Sequence, residues 1–413
     1  MDFHYEWDAS LVEHDRRHVA IALDGSTHAA VALTTMLSIL RPEEDVISLV
    51  LVLSPSHRVV RAALEATGLG AEDVDPHGDE QVYADFLSAF KAAALDDPPD
   101  ENGVVLGQDL MDKISQAGGA GFECVLTVLL GSSPKKTLVA FATHAQPKRS
   151  PISGTGKGKG KGKGKGKGKG KGRKSGDEEE LSLSSVSSVS SVASSASGAS
   201  GASGVAGATN AVVEKQMRPQ FLHQGLSGLV VGCRGRSGIA SWLLGSVSSY
   251  VAKNAPVPVV VCKAPLEYGV VAGSSKMVWM VAMDMLPDGF PASMRALAAI
   301  IPLIRVEFDE LILLSVLSME EAVGVNTDQY IKRPAKAMFN NLLDICREEY
   351  NINTRSELHF GHPVTQICAV AKDEGVSVLA LGCRNSTSSG FSLGSVSKAS
   401  LSEAEVPVVF ISK

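Results

Sequence analysis

Aromatic residues are scarce in this chain, at 5% of its 413 residues. With 40 glycines and many Ala and Val, that scarcity argues against a β-sandwich core and for an open α/β sheet. Cysteine is sparse as well. Cys124, Cys233, Cys262, Cys346, Cys368 and Cys383 stand far apart, and none belongs to a C-x-x-C pair. That spacing argues against a structural zinc site and fits buried free thiols in a reducing compartment. No run approaches the roughly 18 apolar residues of a membrane helix. Residues 1–18 are polar and acidic, so no secretory leader is expected. A cytoplasmic location is therefore expected, with a nuclear one left open. Catalytic signatures are missing too. There is no G-x-S-x-G elbow and no H-E-x-x-H, and the ten histidines are scattered. SGTGKGKGK contains G-K dipeptides but no G-K-[ST], and no strand precedes it, so it is not a P-loop.

What is present is distributed unevenly. The net charge is −6, yet residues 148–174 hold twelve Lys/Arg and no acid, which leaves −18 on the rest. Gly and Lys alternate over 156–172, and a Ser/Ala/Gly/Val tract follows to about residue 209. Neither a helical nor a strand period is sustained there. Glycine entropy and lysine repulsion predict disorder over 143–215. The lysines between Lys157 and Lys174 could hold nucleic acid or an acidic surface nonspecifically. No aromatics interleave to stack bases, and a flexible spacer is the favoured reading.

On either side, apolar runs alternate with helical patterns. Strands are predicted at 18–23, 45–53, 123–130, 226–231 and 257–262. Helices fall near 27–40, 80–95, 134–143 and 246–254, and 58–118 is otherwise hard to read. The same order recurs as strands at 278–283, 310–317, 353–360, 376–381 and 406–411. Helices lie between them at 291–301, 331–349 and 363–373. DVISLVLVLS (45–54) aligns without gaps on DELILLSVLS (309–318), LVVGCRG (229–235) on LALGCRN (379–385), and LGSVS occurs twice. The chain therefore reads as a tandem duplication. Its fold class is α/β, as two tandem Rossmann-like, doubly wound parallel sheets of about five strands each in the order 3-2-1-4-5. The first unit spans 15–142 and 216–266, interrupted by the insertion 143–215, and the second spans 275–413. An insertion in a surface connection costs only slowly growing loop entropy.

The chemistry concentrates where the fourth strand ends. Gly232-Cys233-Arg234-Gly235, nine residues, then Gly245-Ser246 joins a strand to a helix at the carboxyl edge of the sheet, where open α/β folds bind ligands. Gly232 and Gly235 permit close backbone approach. Gly245 and Ser246 open a helix whose free amides and dipole suit an anion. Val247 lies within this turn, Ser246 and Ser248 offer hydroxyls, and Arg234 offers charge-assisted bonds. The glycines also read as simple packing positions, and Arg234 as a solvated loop charge. Asp24, ending the first strand, also reads as a helix cap.

The full pattern G-x2-G-x9-G-[ST], in this strand–helix setting, resembles the ATP loop of the universal stress protein family. The resemblance covers both folded units. It implies that ATP, with Mg²⁺ as companion, is the ligand, that Asp24 contacts the adenosine part, and that Val52 packs on adenine. It also implies that the two units pair antiparallel through their last strands as an intramolecular pseudo-dimer, and that the protein acts in stress response. In the second unit Asn385 replaces Gly235, and the span from Gly382 to Gly394 is one residue shorter. ATP binding is therefore expected in the first unit alone. The alternatives are a nucleotide-free interaction scaffold and, ranked last for want of a visible base, a slow ATP hydrolase.

Overall fold

A computed structural model describes residues 17–99, 105–145, 226–233, 244–263, 276–286, 288–318, 333–383 and 394–411. Most of the expected insertion, residues 146–215, lies outside that set, as do Arg234 and Gly235.

The first half runs β1 (Arg17–Leu23), α1 (Thr27–Ile39), β2 (Asp45–Leu53), α2 (Arg58–Thr67), α3 (Glu80–Leu95), α4 (Leu106–Gly119), β3 (Glu123–Leu130), α5 (Pro134–His144), β4 (Gly228–Gly232), α6 (Ser246–Asn254) and β5 (Val259–Cys262). The second runs β6 (Val278–Ala282), α7 (Phe290–Ile300), β7 (Glu310–Leu317), α8 (Arg333–Asp344), β8 (Asn353–Phe360), α9 (Pro363–Asp373), β9 (Val378–Gly382), α10 (Ser395–Glu403) and β10 (Val408–Ile411).

The strands form one sheet in the order β3-β2-β1-β4-β5-β10-β9-β6-β7-β8. Each half keeps the expected 3-2-1-4-5 order with parallel neighbours. As expected, the last strands β5 and β10 pair antiparallel, Val261 against Val408 and Val259 against Phe410, and so join the two five-stranded sheets into one. These central strands are buried on both faces, so they read as continuous apolar runs in the sequence.

A buried acid anchors each half at the amino end of its second strand. Asp45 accepts from Arg17 Nε at 2.6 Å and from the Arg41 backbone amide at 2.6 Å. Asp309 likewise accepts from the Arg305 amide at 2.9 Å and from its guanidinium at 2.6 Å. Asp309 also takes the Trp279 indole proton at 3.2 Å. Each buried carboxylate is thus both paired and hydrogen-bonded, the condition under which a buried charge is tolerated. Arg17 and Arg41 both donate to the Pro302 carbonyl, which ties the two halves together away from the strand seam.

The outer strands are protected differently. Tyr83 of α3 is buried, and its hydroxyl donates to Val128 O at 3.0 Å and accepts from Val128 N at 2.8 Å. It occupies both ladder groups of one residue on the edge strand β3. At the other edge, β8 carries Arg355, Glu357 and His359, charged or ionisable side chains of the kind that blunt open edges. The long connection between α5 and β4 leaves and re-enters at one point, since Leu226 N donates to Ala145 O at 3.2 Å.

Three helices escaped the sequence reading, α2, α4 and α10. In α4, Gly107 looks like a breaker but serves packing. A Cβ there would lie 2.6 Å from the Ala94 carbonyl carbon, so α3 and α4 cross only because Gly107 has none. The single helix expected at 331–349 ends instead in a wide turn, Ile345–Glu349.

Candidate functional site

The carboxyl edge of the first half gathers the ends of β1, β2 and β4 with the start of α6. Gly232 is a glycine for steric reasons rather than for a positive φ. A Cβ there would stand 2.7 Å from the His28 carbonyl carbon in α1. Close strand–helix packing, held open as an alternative by the sequence, is therefore the role the geometry gives this residue. After Cys233 the chain leaves the described set and returns at Leu244. The base of that loop is closed twice. Gly245 N donates to Cys233 O at 2.7 Å, and Ser248 Oγ donates to Gly232 O at 2.6 Å.

These bonds sort the serines. Ser248 is buried, and its one proton is committed to Gly232, so it braces the turn instead of offering that proton to a ligand. Ser246 is exposed at the first position of α6. Gly245, the N-cap, has no side chain to satisfy the first-turn amides. They remain directed at whatever acceptor occupies the edge, which is the arrangement that binds phosphates at helix N-termini. By contrast α1 is capped internally, Ser26 Oγ accepting from Ala29 N at 3.2 Å.

Asp24 is exposed just after β1. One carboxylate oxygen accepts from Ser26 N at 2.9 Å, across a turn in which Gly25 takes φ 73°. Asp24 thus shapes the turn, Ser26 caps the helix, and the second Asp24 oxygen is available. Val52 is half-buried near the end of β2, in register with Leu129 of β3. Val247 is half-buried against the core.

One residue was missed. Lys135 lies in the first turn of α5, with its ammonium 5.4 Å from the ring centroid of Tyr250 on α6. Lys136 follows it and is exposed. A cation in a first helical turn opposes the helix dipole. That local conflict was the signal in the sequence, since such conflicts concentrate at functional positions.

The second half repeats the bracing. Ser397 Oγ donates to Gly382 O at 3.2 Å, and a Cβ at Gly382 would overlap the Ala292 carbonyl. Asp284 accepts from Leu286 N at 3.1 Å, as Asp24 does from Ser26. The charge pattern differs. Pro363, opening α9, is followed by Val364 and Thr365, where Pro134 is followed by two lysines.

A universal stress protein family model matches residues 224–263 and 280–412. No curated protein matches the chain. Among solved structures, a universal stress protein from Archaeoglobus fulgidus is similar over 96% of this chain and 98% of its own, at 13% identity and a TM-score of 0.48. A universal stress protein family protein from Arabidopsis thaliana, solved with AMP bound, covers 33% of this chain and 90% of its own at 21% identity, with a TM-score of 0.25. One from Burkholderia pseudomallei covers 34% and 99% at 19% identity, with a TM-score of 0.27.

Proposed function

We propose that this chain, which belongs to the universal stress protein family, binds ATP at the carboxyl edge of its first half and acts as a nucleotide-responsive stress regulator. The observation that carries the reading is the α6 N-terminus, uncapped by any side chain; the Lys135 ammonium lies over Tyr250 of the same helix. Its amides and the Ser246 hydroxyl supply donors to phosphate oxygens, and Lys135 supplies charge. The free Asp24 oxygen suits a ribose hydroxyl or an exocyclic amine, and Val52 offers an apolar contact for the base. Adenine itself comes from family membership; the turn alone supports any phosphate-bearing ligand.

Mg²⁺ fits as a companion of the triphosphate. Among the described residues no three His, Cys, Asp or Glu side chains cluster as a metal site. The ion would therefore be held by phosphate oxygens and water, its usual mode. Bound nucleotide would act by stabilising those states of the 232–246 region that partners recognise. The reading places the protein in the cytoplasm, and among the described residues no helix is long and apolar enough to cross a membrane.

Titration calorimetry with MgATP should give about one site per chain. Ser246→Asp is the diagnostic variant. An acid at the first helical position favours the helix but repels phosphate, so folding should persist while ATP binding is lost. No binding at millimolar MgATP, or two equivalent sites, would overturn the proposal. The nucleotide-free scaffold reading predicts instead that Ser246→Asp leaves cellular activity unchanged.

A further inference from the structure

The turn that leads into the second strand is built twice, once in each half, with one telling exchange. Arg41–Asp45 (RPEED) matches Arg305–Asp309 (RVEFD) without gaps. In the first, Glu44 N and Asp45 N donate to Arg41 O at 3.0 and 2.8 Å. In the second, Phe308 N and Asp309 N donate to Arg305 O at 3.0 and 2.9 Å. The hydrogen bonding is the same, and Phe308 stands where Glu44 stands. Glu44 is held by Arg17 at 3.3 Å and by Arg41 at 2.9 Å. Phe308 has the Arg305 guanidinium carbon 6.0 Å from its ring centroid. It is 61% exposed, the most exposed large apolar side chain among the described residues. Val306, in the same turn, is 43% exposed, and Pro302 and Leu303 just ahead of it are half-buried. An apolar cluster that its own turn does not require points to something that covers it.

Residues 1–16 supply a matching segment. In Asp2-Phe3-His4-Tyr5-Glu6-Trp7-Asp8, polar and aromatic residues alternate strictly. A period of two puts Phe3, Tyr5 and Trp7 on one side of an extended segment. Three aromatics within seven residues is a concentration in a chain that has 5%. The segment also joins the fold beside this corner. Arg17, which opens β1, donates from its guanidinium to the carbonyl of Pro302, six residues before Phe308. The eight residues from Ala9 to Arg16 span about 26 Å when extended. That is ample for a return to a corner whose leading carbonyl one arginine side chain already reaches.

We propose that residues 2–8 lie across the Val306–Phe308 corner as a strap from the first half onto the second. Their rings pack on Phe308 and on the face of the Arg305 guanidinium. Nucleotide plays no part in this contact. Trp7 is the reporter, because the fluorescence difference between the full chain and Trp7→Phe isolates its emission. In the native sequence that emission should be blue-shifted, as for a shielded indole, and independent of protein concentration. Phe308→Glu installs the first-half residue in the same turn. The fold should therefore persist while Trp7 emission moves to that of a solvated indole. Leu95→Glu, at a 52% exposed site on α3, should leave it in place. If Phe308→Glu proves unfolded by circular dichroism, Val306→Ser decides, with the same shift expected. A Trp7 already solvated in the native chain would overturn the strap. So would a Trp7 unmoved by substitution at the corner, or moved equally by Leu95→Glu. Shielding lost on dilution, together with dissociation of a dimer in sedimentation, would overturn it as well and give the corner to a second copy of the chain.

Discussion

Replacing Tyr83 by Phe tests how the β3 edge is closed. The ring is retained and the site already packs aromatics, with Phe86 6.4 Å away between centroids. Only the hydroxyl is lost. It makes two hydrogen bonds to Val128, at 3.0 and 2.8 Å, and Tyr83 is 2% exposed. Burial, foremost, raises its ionisation above the ordinary range, so the hydroxyl stays a donor at every working pH. Its removal forfeits two bonds and leaves a buried N–H and C=O unpaired, an effect of about 2–4 kcal/mol. Urea unfolding should show a midpoint shift with unchanged slope. Amide exchange at Val128 should quicken more than at Ile21, in the sheet centre. A change below about 0.5 kcal/mol, within the range of ordinary surface substitutions, would refute the reasoning. Unaltered exchange at Val128 would do the same.

Excising residues 148–224 and joining the ends through a short Gly/Ser linker should leave the sheet intact, because Ala145 and Leu226 are already hydrogen-bonded. A loop about tenfold shorter should gain about 2 kcal/mol, read from denaturant midpoints, and loss of the circular dichroism of the native chain would disprove an insertion. The Lys276 ammonium, bonded at 2.6 Å, and then the Arg355 guanidinium hold the Glu310 carboxyl below its ordinary 4.5 against burial. A depressed folded value gives stability above the unfolded pKa that is lost as pH falls through the folded one. Glu310→Gln should therefore lower the melting temperature at pH 7, with the gap closing in acid; a gap constant with pH would refute the pairing. Burial pushes the thiols of Cys124, Cys262 and Cys346 up to about 12. At pH 8 these should react with a disulfide reagent only after denaturation, and prompt labelling in the native chain would contradict their burial.

Much of the architecture was legible because parallel strands buried on both faces leave unbroken apolar runs, as in DVISLVLVL and ELILLSVL. The doubly wound succession of elements then pointed to the strand order, and the family resemblance to the pairing of the last strands. α4 was hidden because Gly107 reads locally as a breaker, whereas its meaning lies in Ala94 across the helix crossing. At the site, glycine spacing located the turn but could not assign the serines. Ser246 and Ser248 are equivalent in composition, and only the position of the Gly232 carbonyl commits one of them inward. Lys135 was missed for the opposite reason. It belongs to no motif and gains meaning only from Tyr250 on the neighbouring helix.

The antiparallel pairing of β5 with β10 has an evolutionary consequence. Two identical chains meeting along that line would carry identical crevices, and any substitution would strike both at once. Joined in one polypeptide, the halves inherit changes separately while their stoichiometry stays locked at one to one. A lysine on one side and a valine at the matching position on the other, Lys135 and Val364, can persist together in every molecule. The seam thus lets selection act on two unlike crevices without a search for the right partner.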